Sequence, residues 1–243
     1  MRVLTHNVYW FQGNPPVWGT EQVKAAPEIV EQLAKLYRDA RADVMCLQEV
    51  HSDDPCRRIA ERLGVSTLLR VPGGSRPEYG GAVLPRGDVE LRDLTRSERF
   101  VHERIHMRAR VRWNGTPLEI AVLHLPSNRY APDPAAAERA RIAELDRVFS
   151  ASPNPLIVLG DLNSTPDAEL YRYMLLRGFV DAATASGAAE RPNRIDYIWL
   201  HETIADRLVA YEVLDSGLFR RTQPDGSVRA LSDHPPLLVE LAE

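Results

Sequence analysis

Hydrophobic positions fall on both faces of Val3 to Val8 and of Asp43 to Gln48, so both segments predict strands buried on each side. Between them Ile29, Leu33, Leu36 and Tyr37 recur at helical spacing, and Pro27 either opens or kinks that helix. Asp54-Pro55 reads as an N-cap followed by proline at the first helical position; Ile59 and Leu63 share a face, and Gly64 ends the helix. From about residue 67 to 124 the pattern turns strand-rich, with Thr67 to Val71, Ala82 to Leu84, Val89 to Leu94, Arg104 to Trp113 and Leu118 to Leu125. Asn114-Gly115 between the last two runs is a strong hairpin signal.

Asp133-Pro134 starts a further helix, with Ile142, Leu145, Val148 and Phe149 on one side. Leu156 to Leu159 predicts a buried strand ending at Gly160, and Pro166 opens a helix that closes at Gly178. Ile195 to Leu200, Leu208 to Leu214 and Leu237 to Leu241 supply the last strands. Strands with helices interposed, and no long linker or internal repeat, predict one domain over residues 1–243 with mixed sheets covered by helices. The polar segments Ala182 to Asn193 and Ser216 to Ser232 are expected loops around a site.

Composition narrows the classes. With 44% apolar and 26% charged residues the chain can build a packed core, which excludes disorder over most of its length. No apolar run is long enough for a membrane span, and the first residues do not read as a secretory leader, so a cytoplasmic location and no membrane partner are expected. Cys46 and Cys56 read as one buried and one incidental thiol rather than a disulfide or zinc site. A net charge of −4 argues against a generic phosphate-coating surface. Lysine occurs only at positions 24 and 35, so the cationic side chains are almost all guanidinium groups, suited to bidentate phosphate contacts.

Polar residues recur where buried strands end. Asn7, Glu49, His124, Asp161 with Asn163, Asp196 and His234 each follow or interrupt an apolar run. Each alone could be a solvated cap or a turn former. Together they form a coherent set: carboxylates for a hard cation, amides to orient oxygens, and two imidazoles for charge developing on a phosphoryl group. Strand ends along one sheet edge are where side chains distant in sequence converge.

Thr5-His6-Asn7-Val8, Leu47-Gln48-Glu49-Val50, His124-Leu125, Gly160-Asp161-Leu162-Asn163, Arg194-Ile195-Asp196-Tyr197-Ile198 and Ser232-Asp233-His234 resemble the successive signatures of the endonuclease/exonuclease/phosphatase superfamily, in order across residues 3 to 241. The resemblance implies the deoxyribonuclease I-like fold: α/β, a four-layer sandwich of two mixed β-sheets packed face to face with helices on the outside. It also implies divalent-metal-dependent hydrolysis of a phosphate ester. Carried over by position, Glu49 is the metal ligand, with Asn7 and Asp233 completing or supporting the site. Mg²⁺ suits this oxygen-rich set and Mn²⁺ could substitute. Asp161 would align the attacking water or take its proton, and Asn163 would hold that water or a non-bridging oxygen, both reaching one phosphorus if strand alternation puts them on one side. His234 would donate to the phosphoryl oxygens, Asp196 would hold His234 as imidazolium, and His124 would lie near the leaving oxygen.

Other residues carry less specific signals. Arg129, just after the His124 strand, is an expected substrate clamp. Trp10 and Phe11 could wall a pocket, and Arg220 and Arg221 could meet an anion. Gly73, Gly74, Gly80 and Gly81 lack the Lys-Ser/Thr of a phosphate loop. His6, His51, His102, His106 and His201 have no partner that the sequence identifies. The expected substrate is a small or single-stranded phosphate mono- or diester, because no lysine-rich patch or membrane-docking helix is evident. Two alternatives stand beside it: a nuclease or DNA-repair phosphodiesterase acting on nucleic acid, and a catalytically silent binding module. No obligate protein partner is inferred.

Overall fold

A computed structural model describes residues 1–87, 89–94, 102–113, 115–151, 156–188 and 191–242. The first part of the chain forms β1 (Arg2–Asn7), α1 (Pro27–Asp39), β2 (Val44–Gln48), α2 (Asp53–Leu63), β3 (Leu69–Val71) and β4 (Gly81–Pro85). There follow β5 (Glu90–Asp93), β6 (Ile105–Trp113), β7 (Thr116–His124), α3 (Pro134–Ala151), β8 (Ile157–Asp161), α4 (Glu169–Leu176) and β9 (Phe179–Asp181). The last part holds α5 (Ala182–Ala185), β10 (Asp196–His201), α6 (Glu202–Ala205), β11 (Leu208–Val213), β12 (Arg220–Thr222), β13 (Val228–Ala230) and β14 (Leu237–Leu241).

Side-chain alternation along the strands decides the layers. Val3 of β1 and Val44 and Cys46 of β2 point into one core, whereas Leu4, Met45 and Leu47 point into another. Ile157 and Leu159 of β8 and Ile198 and Leu200 of β10 join the first of these cores, while Val158 and Trp199 face a third. The shared core lies between two six-stranded sheets, ordered β11-β14-β1-β2-β4-β3 and β5-β6-β7-β8-β10-β9. Helices α1 and α2 cover the outer face of the first sheet, and α3 and α4 cover that of the second. The order is therefore helix, sheet, sheet, helix, and both sheets are mixed, with β1–β2 and β7–β8 parallel among antiparallel pairs. This is the expected four-layer α/β sandwich, and burial on both faces explains why the central strands lack a clean polar face.

Several boundaries differ from expectation for local reasons. Pro27 opens α1 rather than kinking it, as its missing N–H costs nothing in the first turn. The N-cap of α2 is Ser52, and Asp53 and Asp54 occupy its first turn, where negative charge meets the positive end of the helix dipole. Helix α4 starts at Glu169, not Pro166. The segment Ser216 to Ser232 contains the β12–β13 hairpin, and Ala182 to Asn193 begins with α5. Asn114 of the expected hairpin turn lies outside the described residues, but β6 and β7 pair as that turn requires, Trp113 opposite Thr116. Cys46 and Cys56 are both free and both buried, so Cys56 is core rather than incidental. Among the described residues no helix is long and apolar enough to cross a membrane.

Candidate active site

Strand register assembles the site. Parallel β7 and β8 set His124 beside Asp161, and antiparallel β10 sets Asp196 on the other side of Asp161, so three candidate residues stand in one row across the second sheet. The close approach of β7 and β8 depends on Gly160, whose φ of 129° favours glycine and where an added Cβ would overlap the Leu123 carbonyl oxygen. In the first sheet Asn7 ends β1 opposite Gln48 at the end of β2, and Glu49 follows. Ser232, leading into β14, donates from Oγ to the Asn7 carbonyl at 2.7 Å, which fastens the Asp233-His234 segment to the same rim. Face-to-face packing of the two sheets makes these rims one.

The seven residues meet through short contacts. Asn7 Nδ2 donates to Glu49 Oε1 and to Asp161 Oδ2, each at 3.1 Å, bridging the two sheets. The Tyr9 N–H donates to Asn7 Oδ1 at 3.1 Å, so the amide can present only its nitrogen to the carboxylates. His124 Nε2 lies 3.1 Å from Asp161 Oδ2 and 3.9 Å from Glu49 Oε1. His234 Nδ1 is 2.7 Å from Asp196 Oδ2, and its Nε2 is 4.0 Å from both Asp161 Oδ2 and Asp233 Oδ1. Asp233 itself stands exposed at the rim.

Asn163 arrives by a different route from the one expected. Strand β8 ends at Asp161, and Asn163 sits beyond it in the left-handed region, at φ 51°. Its backbone N–H donates to Asp161 Oδ1 at 2.9 Å, and its Nδ2 donates to the Leu125 carbonyl at 3.0 Å. A turn, not strand alternation, therefore puts Asn163 next to Asp161. Arg129 is exposed on the short 3-10 turn Asn128–Tyr130 after β7.

Burial and charge sort the titrating groups. Burial raises Glu49 to about 7, against the opposing pull of Arg104 and the Asn7 hydrogen bond. Burial acts on Asp161 in the same sense, yet His124, His234 and Arg104 together hold its carboxyl well below the usual carboxylate range. Burial also lowers His124 to about 4, so that ring is neutral at pH 7. For His234 burial is outweighed by Asp196, Asp161 and Asp233, which raise it well above the ordinary histidine value. At neutral pH the rim thus presents an ionised Asp161, an imidazolium at His234 and a Glu49 carboxyl raised toward neutrality by its burial.

Backbone strain concentrates here. Among the described residues six non-glycine positions have positive φ, and five of them, Tyr9, Trp10, Phe11, Glu49 and Asn163, are site residues or the turn that abuts Asn7; only Arg41 lies elsewhere. Each such conformation costs roughly 1–3 kcal/mol, which persists where surrounding structure enforces it. For Glu49 the φ of 59° turns a buried carboxylate out of β2 toward the second sheet.

This donor set fits a hard divalent cation. Glu49 is a 7% exposed carboxylate that, among the described residues, accepts its hydrogen bond from the neutral Asn7 amide and has no cationic group bonded to it. One oxygen of Asp161, one of Asp196 and one ring nitrogen of His234 also lie within 4.8 Å of one another. That second grouping suits a metal less well, because Asp196 is already bonded to the imidazole and an imidazolium offers no lone pair.

Sequence reading missed Arg104. It is buried, its guanidinium contacts His124 Nε2, and its Cζ lies 4.4 Å from the Tyr79 ring centroid. The antiparallel register that sets Ile105 opposite His124 brings its neighbour Arg104 to the site. Tyr79 and Trp10 build the adjoining wall, with ring centroids 5.3 Å apart. His6, for which the sequence identified no partner, is fully engaged: Nδ1 lies 2.7 Å from Tyr37 Oη and Nε2 lies 2.9 Å from the His234 carbonyl. Because a carbonyl only accepts, Nε2 carries the proton and the Tyr37 hydroxyl donates to Nδ1.

Comparison with known proteins agrees with this geometry. The profile of the "Endonuclease/Exonuclease/phosphatase family" matches residues 4–234. An endonuclease/exonuclease/phosphatase family protein from Bacteroides thetaiotaomicron superposes with a TM-score of 0.73 at 16% identity, covering 99% of this chain and 97% of that one. A mannosyl-6-phosphatase from the same organism gives 0.70 at 16% identity, covering 100% of each chain. The catalytic domain of human Nocturnin gives 0.66 at 21% identity, covering 100% of this chain and 93% of that one. At such identities the likeness is one of fold. No curated protein matches the sequence.

Proposed function

The chain belongs to the endonuclease/exonuclease/phosphatase family, and from that premise we propose that it is a divalent-metal-dependent phosphoesterase that hydrolyses a small or single-stranded phosphate ester by in-line attack of water. The observation that carries this reading is the single rim on which Asn7 joins Glu49 to Asp161 while the Asp196-paired His234 faces the same Asp161 oxygen. A silent binding module would normally lose one of Glu49, Asp161, Asn163, Asp196 or His234, and none of these is missing.

Glu49 would hold the cation, Mg²⁺ or Mn²⁺, with Asp233 at the open side and Asn7 orienting the carboxylate. The cation would supply charge neutralisation at a phosphoryl oxygen. The remaining work falls to the chain. Asp161, ionised and fixed through its other oxygen by the Asn163 N–H, accepts a hydrogen bond from water and aims its lone pair at phosphorus. A carboxylate held this low is a weak base towards free water, so its first contribution is alignment. As the new O–P bond forms the bound water becomes far more acidic and its proton passes through Asp161 to solvent, while the leaving oxygen takes a proton from solvent as the P–O bond breaks. His234, kept protonated by Asp196, donates from Nε2 to the phosphoryl oxygens as negative charge grows there. His124, contacted by Arg104, would lie near the leaving oxygen as the P–O bond breaks. Arg129 on its exposed turn would steady the rest of the substrate.

The substrate class is testable with a hydrolysis panel run with Mg²⁺: p-nitrophenyl phosphate, bis-p-nitrophenyl phosphate, mononucleotides, sugar phosphates, and single- and double-stranded DNA. The sugar phosphates enter because a mannosyl-6-phosphatase shares the fold. Turnover of small or single-stranded esters supports the reading; turnover confined to duplex DNA contradicts it.

A further inference from the structure

The β12–β13 hairpin pairs Arg221 directly opposite Arg229. Residues directly opposite in an antiparallel pair project from the same face, and like charges so placed destabilise the ladder. Nearby arginines are compensated: Arg220 meets Asp215 at 2.8 Å and Arg191 meets it at 3.5 Å. Among the described residues neither Arg221 nor Arg229 reaches a carboxylate within 4.0 Å. Arg229 feels Asp225 at the hairpin tip only at a distance, and the Asp225 carboxylate is bonded to Ser227 at 2.9 and 2.6 Å.

Both arginines line one cavity of ≈ 240 Å³, together with Gln223 on the hairpin side and Glu28 and Gln32 on the α1 side. The cavity also meets α1 through Glu28, Ile29 and Gln32, and Glu28 offsets the positive end of that helix dipole, so the anion-attracting charge in the lining is that of the two guanidinium groups. Glu28 is the only carboxylate in the lining and lies beyond ion-pair distance of either arginine. We propose that this cavity is an anion site for a phosphate group, gripped by Arg221 and Arg229 across the hairpin, distinct from the catalytic rim. The volume is ample for one phosphate or a pyrophosphate. The site stands close to the chemistry: Phe219 in its wall packs edge-on against His6, ring centroids 5.9 Å apart, and His6 bonds the His234 carbonyl. It does not depend on the catalytic reading, since phosphate binding there requires no turnover.

The test is calorimetric titration of the full chain with pyrophosphate at low salt, in EDTA, for the wild type and for R221Q/R229Q, R220Q, E28Q and H234A. Saturable binding is expected in the wild type and in H234A, weakened about tenfold or more in R221Q/R229Q by loss of two charge-assisted contacts. R220Q should bind as the wild type, and E28Q about twofold more tightly, the size of one exposed charge. Binding that is absent in the wild type, equal in R221Q/R229Q, or abolished in H234A would overturn the site. Circular dichroism establishes that the double variant is folded. A kinetic arm separates the two sources of phosphate: if only a bisphosphate ester shows a raised KM in R221Q/R229Q, with p-nitrophenyl phosphate unchanged, the site takes the second phosphate of the substrate. Unchanged KM for both, with pyrophosphate binding lost, assigns it to free phosphate.

Discussion

At the scale of single residues, the site divides into one carboxylate that awaits a cation and one histidine that is kept charged. With Glu49 raised to about 7 by burial, a metal must displace its proton. Cation affinity should therefore climb as pH rises toward 7 and level off above it, with calorimetry in buffers of different ionisation enthalpy showing proton release below that value. E49Q removes both the proton release and the affinity, and should lower turnover by about 10²–10³. His234 has the opposite sign. Its folded value is raised above the unfolded one, so its contribution is complete below the unfolded value and is lost as pH rises through the folded one. D196N removes the partner that raises it; the alkaline limb of the rate profile should move to lower pH, and NMR titration of the His234 ring should follow it. An unchanged alkaline limb in D196N would separate His234 from catalysis. Arg104 belongs to the same scale: R104Q should weaken turnover and let the Asp161 carboxyl rise, because one of the cations holding it down is gone.

At the scale of elements, the catalytic constellation is a consequence of register. His124, Asp161 and Asp196 form a row only while β8 lies tight against β7, and Gly160 is the residue that permits it. Gly160→Ala would meet both a disfavoured φ and the Leu123 carbonyl, and should cost about 3 kcal/mol or more by urea denaturation, a size expected where strain and overlap combine. A variant as stable as the wild type would show that the strand spacing tolerates a side chain. The tether from Tyr37 through His6 to the His234 carbonyl is a smaller device of the same kind. Tyr37→Phe removes one buried donor and should cost about 1 kcal/mol while reducing turnover modestly.

Much of this was legible in the sequence, because strands buried on both faces announce themselves as apolar runs and their polar last residues stand out against them. Asn7, Glu49, His124, Asp161, Asp196 and His234 were found that way. Arg104 precedes a strand rather than ending one, so the same filter passes over it, although the pairing of Trp113 with Thr116 sets Ile105 opposite His124. The hydrogen bonds of His6 were not legible at all, since its partners lie 31 and 228 positions away: the Tyr37 hydroxyl sits in an ordinary helical pattern, and the His234 partner is a backbone carbonyl, which no side-chain motif reveals. The β12–β13 hairpin was hidden by its composition: short, polar and exposed, it has no apolar alternation to reveal strands.

At the scale of the whole molecule, the two sheets matter less as scaffolds than as two rims that must coincide. Glu49 and Asn7 come from one sheet, His124, Asp161 and Asp196 from the other, and the shared core of Val3, Val44, Ile157 and Ile198 holds them in register. Fold alone does not choose a substrate. The joined rims do make one claim that a single measurement addresses: a cation gripped from the first sheet works with a phosphoryl clamp on the second. That measurement is the rate of bis-p-nitrophenyl phosphate and p-nitrophenyl phosphate hydrolysis by wild type, E49Q and H234A, with Mg²⁺ and with EDTA. The account predicts Mg²⁺-dependent turnover by the wild type that EDTA abolishes and that either substitution lowers by about 10²–10³ with native circular dichroism. Equal rates in EDTA, or wild-type rates in both variants, would contradict it.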